Sequence, residues 1–155
     1  MKPNIDLNVA TTTKVVKLLS CYLADLSFLY LKTHCFHWNV KGLHFYSLHK
    51  LFEDQYQALF GALDEVAERI RALGEPVPGT YHQFQKLSCL QEQPDISQDK
   101  DMIKILLEDH ETLIRNLRQA IEETNNAGDL GSGDFLTTRL EDHEKMAWML
   151  RSHFE

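Results

Sequence analysis

The sequence is poor in everything that interrupts a helix. Of its 155 residues only seven are glycine and four proline. They gather chiefly at three places, which leaves long stretches free to run as uninterrupted elements. Cysteine is scarce: Cys21, Cys35 and Cys89 stand apart, with no CxxC pair and no even framework. That excludes a disulfide-stapled scaffold and points to reduced thiols in a cytoplasmic protein. No apolar run approaches the ~18 residues that span a bilayer, and the opening MKPNIDLNVATTTK lacks the apolar stretch of a signal peptide. Basic charge is also short: 16 Lys and Arg face 23 Asp and Glu, a formal net charge of −7. Coating DNA by charge alone needs clustered cations, so that class is disfavoured. An acidic surface suits soluble cations better.

What remains is helical. Residues 1–10 read as a polar N-terminal arm of a single domain covering 1–155, and Thr11 to Thr13 offer N-caps. From Lys14, apolar residues recur at three-and-four spacing (Val15, Leu18, Leu19, Tyr22, Leu26, Leu29) to about Trp38, before Lys41-Gly42. A second helix is predicted from Phe45 to about Leu73, closed by Gly74 and the Pro76/Pro78 segment. Residues 80–87 can form a short helix, and 88–97 read as loop. A third helix is predicted from near Ser97, fading at residues 125–128. The loop GDLGSGD follows, and a fourth helix runs from about Asp134 to Phe154. No strand pattern appears. The expected fold is all-α, a four-helix bundle with a short extra helix in the long connection between helices two and three, which is the ferritin-like arrangement.

The second helix carries the chemistry. On a wheel of ~100° per residue, His49, Glu53, Asp64 and Glu68 fall to one side of its aliphatic stripe, together with Phe60 and Ala67. Potential ligands mixed with apolar groups imply a second buried surface. His49/Glu53 and Asp64/Glu68 are each i,i+4 neighbours, but the pairs are about 22 Å apart along the axis. One straight helix cannot gather them around one metal. Two copies crossing antiparallel near Ala58–Leu59 would bring each pair of one chain to the other pair of its partner, twice over. Gly61 would ease the close approach, and His37 could join the His49/Glu53 half through the short turn. The set of two imidazoles and three carboxylates suits iron or manganese and can hold zinc. Solvated surface acids and hydrogen-bonded core histidines account for the same residues equally well on the wheel alone. An ordinary di-iron centre within the bundle core is disfavoured, because it uses Glu-x-x-His. His110 and His143 are instead preceded by Leu107 and Leu140, and they read as buried or interface histidines.

The pattern His37-Trp38-Asn39-Val40-Lys41-Gly42, His49-x-x-x-Glu53 and Asp64-x-x-x-Glu68-Arg69 resembles the Dps family of mini-ferritins. The short helix after the Pro-Gly connection and the DHEK-x-x-WML segment at 142–150 extend the resemblance over nearly the whole chain. It implies a hollow dodecamer with iron sites between two-fold-related subunits. His37, His49 and Glu53 would come from one chain, and Asp64 and Glu68 from its neighbour. It implies oxidation of Fe(II) by hydrogen peroxide, or by oxygen, with ferric mineral stored in the cavity as protection against oxidative damage. Trp38 matches a tryptophan thought to pass electrons beside the site. Asp129 and Asp134 match acids of an iron-entry pore, although helix capping competes for both. Three departures stand out. Position 53 is Glu where the common pattern has Asp. A further pore acid is Thr138. The Lys/Arg-rich tail used for DNA binding is not present, since residues 1–10 carry only Lys2. Nucleoid DNA binding is therefore the alternative reading, with iron chemistry secondary.

Overall fold

The computed structural model describes residues 3–94 and 98–154. Five helices make it up: α1 Val9–Asn39, α2 Phe45–Ala72, α3 Tyr81–Leu87, α4 Asp99–Asn126 and α5 Leu130–Arg151. The described residues contain no strand. Short connections make α1–α2 and α4–α5 antiparallel hairpins, and these are the two most extensive packings in the chain. The long crossover from α2 to α4 carries α3, which lies on α1. The architecture is the expected ferritin-like four-helix bundle with one short added helix. Its seam holds Leu19, Leu26 and Leu29 of α1, Phe52 and Leu59 of α2, and Leu106 and Leu113 of α4, all at most 1% exposed. None of the helices described is long and apolar enough to cross a membrane.

Helix ends correct the sequence reading in three places. First, α1 starts at Val9 rather than near Lys14, so the arm is shorter than residues 1–10. Asn8 is the cap, accepting from Thr11 N–H at 2.9 Å, because asparagine at this position captures a free amide well. Thr11 instead donates its hydroxyl to the Ala127 carbonyl, 3.1 Å away, which ties α1 to the end of α4. Second, α4 begins at Asp99 behind Gln98; the cap expected at Ser97 lies outside the described residues. Third, the GDLGSGD segment is mostly helix. Asp129 caps α5, accepting from Ser132 N–H at 3.0 Å and from the Ser132 hydroxyl at 2.6 Å. The glycines there serve close packing rather than a flexible loop. A Cβ on Gly133 would lie 2.0 Å from Asn125 Oδ1.

The end of α2 shows how locally these boundaries are set. Gly74 has φ +90°. Its N–H donates to Arg71 O at 2.9 Å and Glu75 N–H donates to Ile70 O at 3.4 Å, the double closure of a Schellman motif. A Cβ on Gly74 would also sit 2.6 Å from Pro3 Cδ. Gly74→Ala is therefore expected to destabilise the subunit by at least about 1–2 kcal/mol, from left-handed strain plus displacement of Pro3. The urea midpoint at fixed protein concentration measures it, and an unchanged midpoint would show that neither constraint matters.

Three groups inside the bundle form a chain that no motif announces. The Tyr22 hydroxyl lies 2.9 Å from His143 Nε2, and His143 Nδ1 lies 2.8 Å from His110 Nδ1. An Nδ1–Nδ1 hydrogen bond requires one protonated and one bare nitrogen. Burial lowers both histidines, His143 to about 3, with the Arg139 charge adding to the shift there and His143 adding to it at His110. In the unfolded chain each takes a proton near its usual value of about 6.5. Below that pH the unfolded state binds more protons than the fold, so stability declines as pH falls from about 6.5 toward about 3. The expected slope is up to ~1.4 kcal/mol per pH unit for each histidine. A urea midpoint that stays flat between about pH 7 and pH 5 would contradict the neutral buried pair.

Candidate metal half-sites

The α1–α2 turn is built around His37 and His49. His37 lies in the last turn of α1, where backbone carbonyls lack helical partners, and His49 in the second turn of α2. Each ring reaches the other's backbone: His37 Nδ1–H donates to His49 O at 2.8 Å, and His49 Nδ1–H donates to His37 O at 2.9 Å. The rings stack, with centroids 3.8 Å apart and planes 19° from parallel. This reciprocal clasp has a chemical consequence. With both Nδ1 atoms committed as donors to carbonyls, each neutral imidazole carries its lone pair on Nε2, free for a metal. The carbonyls play the supporting role that fixes tautomer and ring orientation in metal-binding histidines.

Glu53 stands one turn beyond His49, partly buried. Lys50 holds its carboxylate through a hydrogen bond and ion pair. That bond, desolvation opposing it, and the charge of Lys50 together hold the carboxyl below its ordinary range. A metal arriving at the imidazoles therefore has an ionised carboxylate at hand, in exchange for the Lys50 contact.

Asp64 and Glu68 lie farther along the continuous helix α2. Both are exposed, and among the described residues neither side chain makes a hydrogen bond or ion pair. The structure thus gathers His37, His49 and Glu53 at one end of α2 and leaves Asp64 and Glu68 at the other. Among the described residues, no group of three or more His, Cys, Asp or Glu side chains is arranged to hold a metal ion. Between the two ends, Phe60 is 63% exposed. Gly61 faces open space, with nothing within 4 Å of an added Cβ. The stretch linking the halves thus leaves Phe60 and Gly61 uncovered.

The acids expected at a pore fare differently from each other. Asp129 is buried, engaged as the cap of α5 and paired with Arg69 at 3.1 Å, so capping describes it. Asp134 is exposed in the first turns of α5. Trp38 is 59% exposed, and its ring lies 4.1 Å from that of His34. His34 also stacks on Tyr56 at 3.9 Å. The four-residue spacing of Tyr30, His34 and Trp38 was the available signal for that cluster.

The chain is similar over most of its length to known proteins. A family model described as ferritin-like domain matches residues 16–155. A low temperature-induced protein of Nostoc sp. is 42% identical over 154 residues, covering 98% of this chain and 86% of that protein. DNA protection during starvation protein 2 of Bacillus anthracis is 34% identical over 139 residues, covering 90% of this chain and 95% of that one. Among solved structures, Dps from Staphylococcus aureus superposes with a TM-score of 0.88 at 35% identity, covering 91% of this chain and 95% of its own. The Dps protein of Vibrio cholerae O1, described as a member of a broad superfamily of ferritin-like diiron-carboxylate proteins, gives a TM-score of 0.94 at 27% identity, covering 99% and 97%.

Proposed function

This chain belongs to the ferritin-like proteins as a mini-ferritin of the Dps family, and from that premise we propose that it is a cytoplasmic ferroxidase that stores iron and protects against oxidative damage. Fe(II) is the substrate. His37, His49 and Glu53 of one subunit bind it together with Asp64 and Glu68 of a two-fold neighbour, within a hollow dodecamer. Zinc or manganese would compete for the same mixed nitrogen and oxygen donors.

The observation that carries this reading is the reciprocal clasp of His37 and His49, which leaves the Nε2 atom of each stacked ring uncommitted. Hydrogen bonding alone would not require both rings to turn their Nδ1 atoms inward. The chain's own groups then have distinct tasks. The imidazoles place the iron. Glu53 supplies charge on the same side, releasing Lys50. The partner's carboxylates complete the coordination and take up the added positive charge as Fe(II) becomes Fe(III). Hydrogen peroxide accepts two electrons per molecule, so oxidising iron in pairs yields water instead of hydroxyl radical. Asp134, exposed near the start of α5, is assigned to iron entry, and Asp129 to holding the elbow that positions it.

The alternative, a nucleoid DNA-binding protein with secondary iron chemistry, has against it the net charge of −7. A gel shift at physiological salt separates the two, and tight binding there would favour the alternative. The direct test is anaerobic Fe(II) titration followed by peroxide, read as ferric absorbance. Rapid ferric formation at the stoichiometry of the two-electron reaction is expected; its absence would refute the assignment.

A further inference from the structure

A cavity of about 470 Å³ lies between α1, α3 and residues 92–94. It contains none of the residues assigned to iron. Phe28, Leu31 and Phe36 of α1 and Tyr81 and Phe84 of α3 form apolar wall. The helix α3 packs on α1, yet none of its residues is fully buried, so its inner face does not close on the helix beneath. A capping box between Thr80 and Gln83 fixes its first turn. An apolar, aromatic-walled space with a few polar groups, within about 300–1,000 Å³, is what small-molecule sites look like.

Lys32 is the polar group that packing does not explain. It lines the cavity, is 8% exposed and donates to Asp109 at 2.6 Å. Replacing such a buried ion pair by apolar residues of similar volume is often neutral or stabilising, so stability does not account for it. Asp109 engages one of the three N–H bonds that an ammonium carries. The pair is neutral as a whole, and Glu92 also lines the cavity. An anion there would meet two carboxylates, and a cation would meet the Lys32 ammonium. An uncharged oxygen acceptor can take a further Lys32 N–H without disturbing the pair.

We propose that the α1–α3 cavity binds an uncharged, flat aromatic molecule bearing a ring carbonyl, its rings against the α1 and α3 aromatics and its oxygen accepting from Lys32. The proposal goes beyond the ferroxidase reading and does not depend on it.

The test is equilibrium dialysis of 7-methoxycoumarin against the assembled protein, with alkylation of each cysteine followed by mass spectrometry. Cys35 is half-buried in the wall of this cavity, while the exposed Cys89 lines a different one. One coumarin per subunit is expected to bind. At a free concentration ten times Kd it should slow Cys35 alkylation by about 10-fold and leave Cys89 unchanged. The anionic 1-naphthoate should bind at least about 10-fold more weakly. Lys32→Met/Asp109→Leu, which removes both charges, should weaken coumarin binding by about 10-fold, the loss of one hydrogen bond to a charged group. Leu31→Trp and Gln85→Trp, filling the cavity from exposed positions on α1 and α3, should abolish binding with circular dichroism unchanged. No saturable coumarin binding, equal slowing at Cys35 and Cys89, naphthoate binding as tight as coumarin, or undiminished binding after Lys32→Met/Asp109→Leu would overturn the proposal.

Discussion

Replacing His37 and His49 together by alanine should reduce peroxide-driven ferric formation by about 100-fold or more, since loss of even a supporting group around a metal costs about 10–100-fold. The double variant removes both Nε2 donors and also both arms of the clasp, so Glu53 no longer faces a positioned metal. The fold is expected to survive. Neither ring belongs to the seam formed by Leu26, Leu29, Phe52 and Leu59, and the extensive packing of α1 on α2 does not depend on them. Circular dichroism and shell size should therefore stay near wild type while the ferric rate collapses. A rate within a few-fold of wild type would refute the assignment of these histidines.

The second large effect is a rescue. Chains carrying His37→Ala/His49→Ala and chains carrying Asp64→Ala/Glu68→Ala should each be inactive alone, yet regain activity when co-expressed. In a mixed two-fold pair, one site combines both defects. The other combines intact histidines from one chain with intact acids from its partner. Random mixing makes half the pairs mixed, and each mixed pair holds one complete site of two, so the shells should recover about one quarter of the wild-type rate. A site formed within one chain predicts no recovery at all. This outcome would settle the intersubunit arrangement without a bound metal being seen, because only sharing between chains can restore a site that both parents lack.

Much of the fold was legible because it is repetitive. Three-and-four spacing marks α1, α2 and α4 over many turns, and Gly74 and Gly128 end helices by the same left-handed conformation, with φ +90° and +87°. The misread starts of α1 and α5 both turn on residues whose role depends on a distant partner. Thr11 looks like a cap until the Ala127 carbonyl is known to lie beside it. Gly131 and Gly133 look like a loop until Arg69 and Asn125 are seen pressing against them. Within the candidate site, the i,i+4 pairs and their separation could be read directly, since helix geometry is regular. The clasp could not, because it depends on which way two rings turn across the α1–α2 connection. The Tyr22–His143–His110 chain was still less accessible. Its partners lie 121 and 33 residues apart in sequence, and each histidine alone is an ordinary interior residue.

The clasp also divides the donor set by stiffness. Two hydrogen bonds and a ring stack hold His37 and His49 before any second chain arrives, so the ordering entropy of these two side chains is already spent in the lone subunit. Asp64 and Glu68 are exposed and untethered, and in the proposed site they would lose their freedom only on meeting the metal. One half of each proposed site would therefore act as a fixed gauge and the other as a compliant jaw. A gauge sets where the cation sits and tolerates no displacement. A jaw can follow changes in ionic radius and charge, which suits a metal that enters in one oxidation state and departs in another.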